Sequence, residues 1–196
     1  MIEKNIKKDW SEYYELTKNK PPSKLLIKAL SYVKNKGKAV DIGGGGLKDT
    51  RYLLAEGFDV AVIDSSELMA KEAEKITSDK LHYFVVSFDR FNFPESTFNI
   101  ANAQFSLSFN PPATFDDVFR NIKNSLVEGG IFCGQLFGVR DEWKDKPNMI
   151  FHTKEQVGKL FSDMEIIYFR EEEKDDKTAN GTPKHWHVFH IIARRP

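Results

Sequence analysis

The chain has 196 residues, 40% of them hydrophobic and 13% aromatic, enough for one domain with a sizeable core and too apolar for a disordered segment. Lysine plus arginine equal aspartate plus glutamate at 29 each, so a net charge of zero leaves no basic footprint for nucleic acid. No apolar run approaches the roughly 20 residues of a membrane span, and the first residues lack the apolar core of a signal peptide.

The single cysteine, Cys133, lies in an apolar run and has no second cysteine to pair with, so cytoplasm is the expected compartment. Residues 1–22 read as an N-terminal helix and linker ahead of a domain spanning 23–196. Trp10, Tyr13 and Tyr14 share one helical face, either packed on the domain or serving as a lid over a ligand. Ser23 is placed to cap a helix through Leu25, Leu26, Ala29, Leu30 and Val33, ended by Gly37.

The strand from Lys38 to Ile42 carries an acid, Asp41, and runs into four glycines, Gly43 to Gly46. Asp49 and Thr50 then open a helix that closes at Gly57. Strand, glycine turn and helix together let backbone approach a ligand without a Cβ in the way. Free amides at the helix start suit a polar or anionic group. A plain tight turn has the same composition. A second apolar run, from Phe58 to Asp64, ends in an acid 18 residues after Gly46. Asp64 there suits a ribose hydroxyl pair, and it also stands where an N-cap would precede the helix from Ser66 to Ile76. Together the glycine turn and this acid favour an adenosine-type ligand.

A third strand follows from Leu81 to Val86. Helix and strand in alternation imply parallel strands joined by right-handed crossovers, an α/β, Rossmann-like three-layer sandwich. Residues 96–109 hold a fourth strand whose exit, Gln104 to Ser106, faces the crevice beyond the strand ends. Asn110, Pro111 and Pro112 read as a loop into a helix marked by Phe115, Val118, Phe119, Ile122 and Leu126. Residues 126–130, LVEGG, end that helix, and a strand from Ile131 to Phe137 brings Gln135 and Phe137 toward the crevice. The loop after Gly138 carries Arg140 and Trp143 and leads to His152, and Thr153 with Gln156 forms a capping box. Two strands, 164–173 and 185–193, end the chain. His185, His187 and Phe189 share one face of the last, and Trp186, Val188 and His190 the other. An HxH pair on a strand is a metal geometry, but that face offers no third ligand, and no metal is expected. No Ser-His-Asp or Cys-His set stands out.

The run DIGGGGLKDT resembles the DxGxGxGxxT turn of class I S-adenosylmethionine-dependent methyltransferases, the compact tellurite-resistance-like group in particular. Leu47 stands where that family has its third glycine, which leaves the approach to the cofactor's methionine end to Gly43, Gly45 and Gly46. The WxxYY leader with Pro21 and Pro22, and LVEGG beside the family's LxPGG turn, extend the likeness. The resemblance implies a seven-stranded, mostly parallel sheet with an antiparallel last strand, whose first residues, Lys184 to His187, reach the active-site edge. It implies S-adenosylmethionine as cofactor, S-adenosylhomocysteine as product, and direct in-line methyl transfer to a small-molecule acceptor. The cofactor would be held by Asp41, Gly43, Gly44, Gly45, Asp64, Ser65, Ser87, Phe88, Asp89, Gln104 and Tyr14. The acceptor would meet Phe105, Gln135, Phe137, Arg140 and Trp186, with His152 and His185 as candidate bases. Two other functions compete: a non-catalytic S-adenosylmethionine-binding module that regulates a partner, and a nicotinamide-dependent oxidoreductase. The acid ahead of the glycines and the LxxGG turn count against the second. No membrane or nucleic-acid partner is expected, and the sequence does not specify an oligomeric state.

Overall fold

A computed structural model describes residues 10–196, and the part of the expected lid over residues 1–9 lies outside them. Seven strands form one sheet: β1 (Lys38–Ile42), β2 (Asp59–Asp64), β3 (Leu81–Val85), β4 (Phe98–Ala103), β5 (Leu126–Phe137), β6 (Glu165–Lys177) and β7 (Pro183–Arg194). Their order is β3-β2-β1-β4-β5-β7-β6. Pairings among β1 to β5 are parallel, and β7 runs antiparallel to both β5 and β6. This is the sheet the resemblance implied. The order reverses between β1 and β4, where doubly wound sheets open a crevice beyond their strand ends.

Alternation along the strands sorts the core into two layers. On one face Ala39, Val60, Ile131 and Ile192 pack with Leu25, Leu26 and Leu53 of α2 (Lys24–Leu30) and α3 (Lys48–Ala55). On the other, Val40, Ile42, Phe132 and Phe189 pack with Phe115, Phe119, Val157 and Phe161, from or next to α5 (Pro112–Ser125) and α6 (Lys154–Leu160). Two further helices, α1 (Ser11–Thr17) and α4 (Glu67–Ala73), meet through Tyr14, Leu47, Val62 and Met69 on the first face.

Several boundaries depart from the sequence reading. Ser23 precedes α2 without capping it, because its amide and hydroxyl donate to the Asp49 carboxylate at 2.7 Å each. Asp49 on α3 thus ties down the residue before α2, whose first turn has no side-chain cap. Helix α2 ends at Leu30, well short of Gly37. The LVEGG segment is not a turn before β5 but its first part, since Leu126 pairs with Phe98 and Gly130 accepts from Arg195 N–H. The β6–β7 hairpin pairs as far as Lys177 with Pro183, so its turn is shorter than the polar run suggests. Thr153 and Gln156 do form the expected capping box. Between β3 and β4 there is no helix, so on the α5 side the β2–β3 end of the sheet is covered only by loop residues such as Phe91 and Phe93.

Candidate active site

The glycine loop closes β1 onto β2. Gly43 N–H donates to Ile63 O at 2.8 Å, and Gly45 N–H donates to the Asp64 carboxylate at 3.0 Å. Gly43 has φ +75°, and a Cβ there would lie 2.4 Å from Ser106 Cβ, so no other residue fits without displacing the β4 exit. Leu47, at the family's third glycine, also takes a left-handed φ of 60°. Complete burial of its side chain against Tyr14, Val62 and Met69 holds a conformation that glycine would reach freely.

Asp64 occupies the end of β2. One carboxylate oxygen accepts from Gly45 and the other from Ser66 N–H at 2.9 Å. Burial raises its pKa, against the lowering effect of backbone donors from Ser66, Gly45 and Ser65. The same side chain orders both the glycine loop and the entry to α4. Ser66 hydroxyl, not Asp64, is the N-cap of that helix. Beyond β3, Phe88 stands beside Gly43, within 3.4 Å of where its Cβ would be, while Ser87 accepts from Arg90 and Phe91 in a tight turn. Asp89 is exposed.

Under the loop runs a buried polar chain. Asp41 accepts from Thr50 hydroxyl at 2.5 Å and from Asn102 amide at 2.8 Å. Asn102 in turn accepts from Gln104 at 2.8 Å, Gln104 from Gln135 at 2.9 Å, and Gln135 from Phe105 N–H at 3.0 Å. Burial, with Asp49 nearby, pushes Asp41 up to about 7. Phe105 has φ +53°, a strained setting for an aromatic residue, and its ring meets Phe137, Trp186 and His190. Gln135 was expected to touch the acceptor. It is buried with both amide atoms bonded, and its place is behind Phe105.

Helix α1 crosses above this floor. Tyr13 lies next to Gly45 and against Trp10, which packs edge-on against Phe109. Gly46 sits so close to the Lys18 backbone that a Cβ would come within 2.7 Å, and Arg51 donates to Gly46 O and Lys18 O. Tyr14, the expected cofactor contact, instead points under the loop into the α3–α4 cluster, its hydroxyl buried without a partner. The three aromatics therefore do not act as one face: Tyr13 lies beside the glycine loop and Tyr14 packs beneath it. Asn102 is one of two asparagines in β4, and only its complete burial, which the sequence does not show, separates it from Asn99.

The remaining candidates lie elsewhere. Arg140 donates to Glu171 and Glu173 on β6, and its amide donates to His187. His185 pairs with Asp175 and Glu173, which raise its pKa, on the face of β7 opposite Trp186. His152 is buried against Phe115 of α5 with Nδ1 unpartnered, and desolvation lowers it to about 4. None of the three shares the face that holds Gln135, Phe105 and Trp186. Among the described residues no cluster of His, Cys, Asp and Glu is arranged to hold a metal ion, and no helix is long and apolar enough to cross a membrane.

His152 and Asp41 give stability opposite pH slopes. Between about 4 and its ordinary 6.5, His152 takes protons only on unfolding, so acid costs stability across that window. Asp41 keeps its proton when folded from its ordinary 3.8 up to about 7, so its share of stability is lost as pH rises through that range. Melting curves from pH 4 to 7 should show a smaller acid loss for His152→Gln than for wild type, and a larger one for Asp41→Asn. Parallel curves for all three proteins would refute both assignments.

Residues 39–130 match the family model described as a methyltransferase domain. No curated protein matches the chain in sequence. Solved structures share its fold at low identity. TehB from Haemophilus influenzae superposes with a TM-score of 0.72 at 15% identity, over 87% of this chain but only 61% of its own. A Methanosarcina mazei S-adenosylmethionine-dependent methyltransferase gives 0.69 at 20%, over 89% and 98% of the two chains. A Burkholderia thailandensis 1,6-didemethyltoxoflavin-N1-methyltransferase, solved with 1,6-didemethyltoxoflavin and S-adenosylhomocysteine, gives 0.66 at 16%, over 87% and 76%.

Proposed function

We propose that this chain, whose residues 39–130 are a methyltransferase domain on a class I fold, methylates a small-molecule acceptor using S-adenosylmethionine. The observation that carries the reading is the Asp64 carboxylate, fixed by Gly45 and Ser66 amides at the edge of a glycine loop with left-handed Gly43 and Gly45. That set fits the cofactor: Asp64 for the ribose hydroxyls, Phe88 beside the adenine, and the glycines with Asp41 beneath the methionine end. When bound, the cofactor supplies a sulfonium-activated methyl group for direct in-line transfer.

The chain's own residues then bind, orient and exclude water. Phe105 and Trp186 wall the acceptor side, and Trp10 and Tyr13 on α1 cover the glycine loop as a lid. A group already activated for transfer asks mainly for alignment and dryness. His152 and His185 are outside this assignment, and full turnover by alanine variants at both is the expected result.

Titration calorimetry with S-adenosylmethionine, S-adenosylhomocysteine and NAD tests the reading. Micromolar binding of the two methionine derivatives, with NAD inert, is expected. A preference for NAD would return the chain to the oxidoreductases, and binding without turnover across broad acceptor panels would favour a regulatory module.

A further inference from the structure

An aromatic surface adjoins the glycine loop. Its hub is Phe137 at the end of β5, buried, with the rings of Phe105, Phe109, Trp143 and Trp186 centred 5.9–6.2 Å away. These four also touch in turn: Phe109 meets Trp143 at 6.2 Å, Trp143 meets Trp186 at 5.7 Å, and Trp186 meets Phe105 at 6.0 Å. All four are partly exposed, Phe105 at 37%. Phe105 and Phe109 flank Ser106, whose Cβ crowds Gly43, so one border of the surface lies against the glycine loop. The β4 exit, the loop after β5 and β7 each contribute to it. Apolar surface gathered in this way from distant segments marks a binding face.

The charges around these rings narrow what they can hold. Lys184 lies behind them, its ammonium 3.7 Å from the centre of Trp186, 4.5 Å from Trp143 and 5.4 Å from Phe137. The inner faces that would attract a cation are thus occupied by the protein's own, and Asp141 neutralises it. His190, which meets Phe105, is paired with Glu172. Lys146 stands over Trp143 but is exposed, where an ion pair contributes little. An ionic ligand would therefore lose water here without gaining a buried partner.

We propose that the acceptor is an uncharged, electron-rich aromatic compound that stacks on this wall with its nucleophilic atom turned toward the glycine loop, an inference that rests on the methyltransferase reading above. The ammonium behind Trp186 and Trp143 draws their electrons inward and leaves their outer sides suited to an electron-rich ring. A flat ring meets faces and edges here together, and such contacts add to the area buried, whereas a saturated ring gains the area alone.

NMR titration of the indole N–H groups of Trp10, Trp143 and Trp186 tests this without any cofactor. Phenol should shift the Trp143 and Trp186 signals and bind about tenfold tighter than cyclohexanol, or about 1.4 kcal/mol. Benzoate and tetramethylammonium should both bind more weakly than phenol. Phe105→Leu and Trp186→Leu should each weaken phenol several-fold and leave S-adenosylhomocysteine affinity unchanged. Should Trp186→Leu fail to fold, Phe105→Leu and the wild-type series decide. Cyclohexanol, benzoate or tetramethylammonium binding as tightly as phenol overturns the proposal, as do unshifted Trp143 and Trp186 signals. S-adenosylmethionine binding in calorimetry would then still stand. Phenol bound by a chain that takes no S-adenosylmethionine overturns the proposal from the other side, by removing the methyltransferase reading beneath it.

Discussion

Asp64→Ala should weaken S-adenosylmethionine binding by about 30- to 100-fold, or ~2–3 kcal/mol, with the fold intact. Hydrogen bonds to a charged acceptor contribute about 1.5–3 kcal/mol, and this carboxylate has more than one task. It accepts from Gly45 and Ser66, and in the proposed complex it also receives the ribose. Removing it deprives the ligand of an acceptor and the glycine loop of one of its ties to β2. Asp64→Asn, which keeps one oxygen acceptor, should fall between. Calorimetric titration of the three proteins decides, and equal affinity in all of them would remove Asp64 from the cofactor site.

Lys184→Met is the substitution expected to cost most in stability, about 3–5 kcal/mol. Lys184 and Asp141 form a fully buried ion pair, with the ammonium 2.6 Å from both carboxylate oxygens. Trp143 and His187 amides also donate to Asp141, and the ammonium lies 3.7 Å from the centre of the Trp186 ring. The pair therefore fastens the loop after β5 to the start of β7, beside the aromatic wall. Methionine keeps the apolar stem among the rings but strands a carboxylate in a dry site, and a broken buried pair is penalised to that degree. For a chain of this length the midpoint should drop by about 10 °C. Lys184→Met with Asp141→Leu should recover part of the loss, because an apolar pair leaves no charge behind. A single variant within about 1 kcal/mol of wild type by urea unfolding would show that the pair does not anchor the loop.

The fold was readable because its signals are local and periodic. Glycines after Asp41, an acid closing the next strand, and the spacing of Phe115, Val118, Phe119 and Ile122 each declare an element without reference to the rest of the chain. What the sequence could not supply was the direction of side chains whose partners are distant. Arg140 looks like a crevice cation until Glu171 and Glu173, some thirty residues later, fold alongside it. Tyr13 and Tyr14 are adjacent and chemically alike, and only the packing of α1 on Leu47 and Met69 separates the one over the loop from the one beneath it. Gln135 reads as a free amide until Phe105 N–H and Gln104 claim it. Lys184 and Asp141 gave no hint of each other, since a buried ion pair has no sequence period.

The buried chain from Asp41 to Phe105 has a polarity. At one end stands a carboxylate that, when ionised, only accepts, and at the other a backbone N–H that only donates. Every amide between them is forced to point one way, because reversing any single member would set two donors or two acceptors face to face. The direction of each amide is therefore set by its neighbours, from the acceptor under the glycine loop to the Phe105 N–H four hydrogen bonds away.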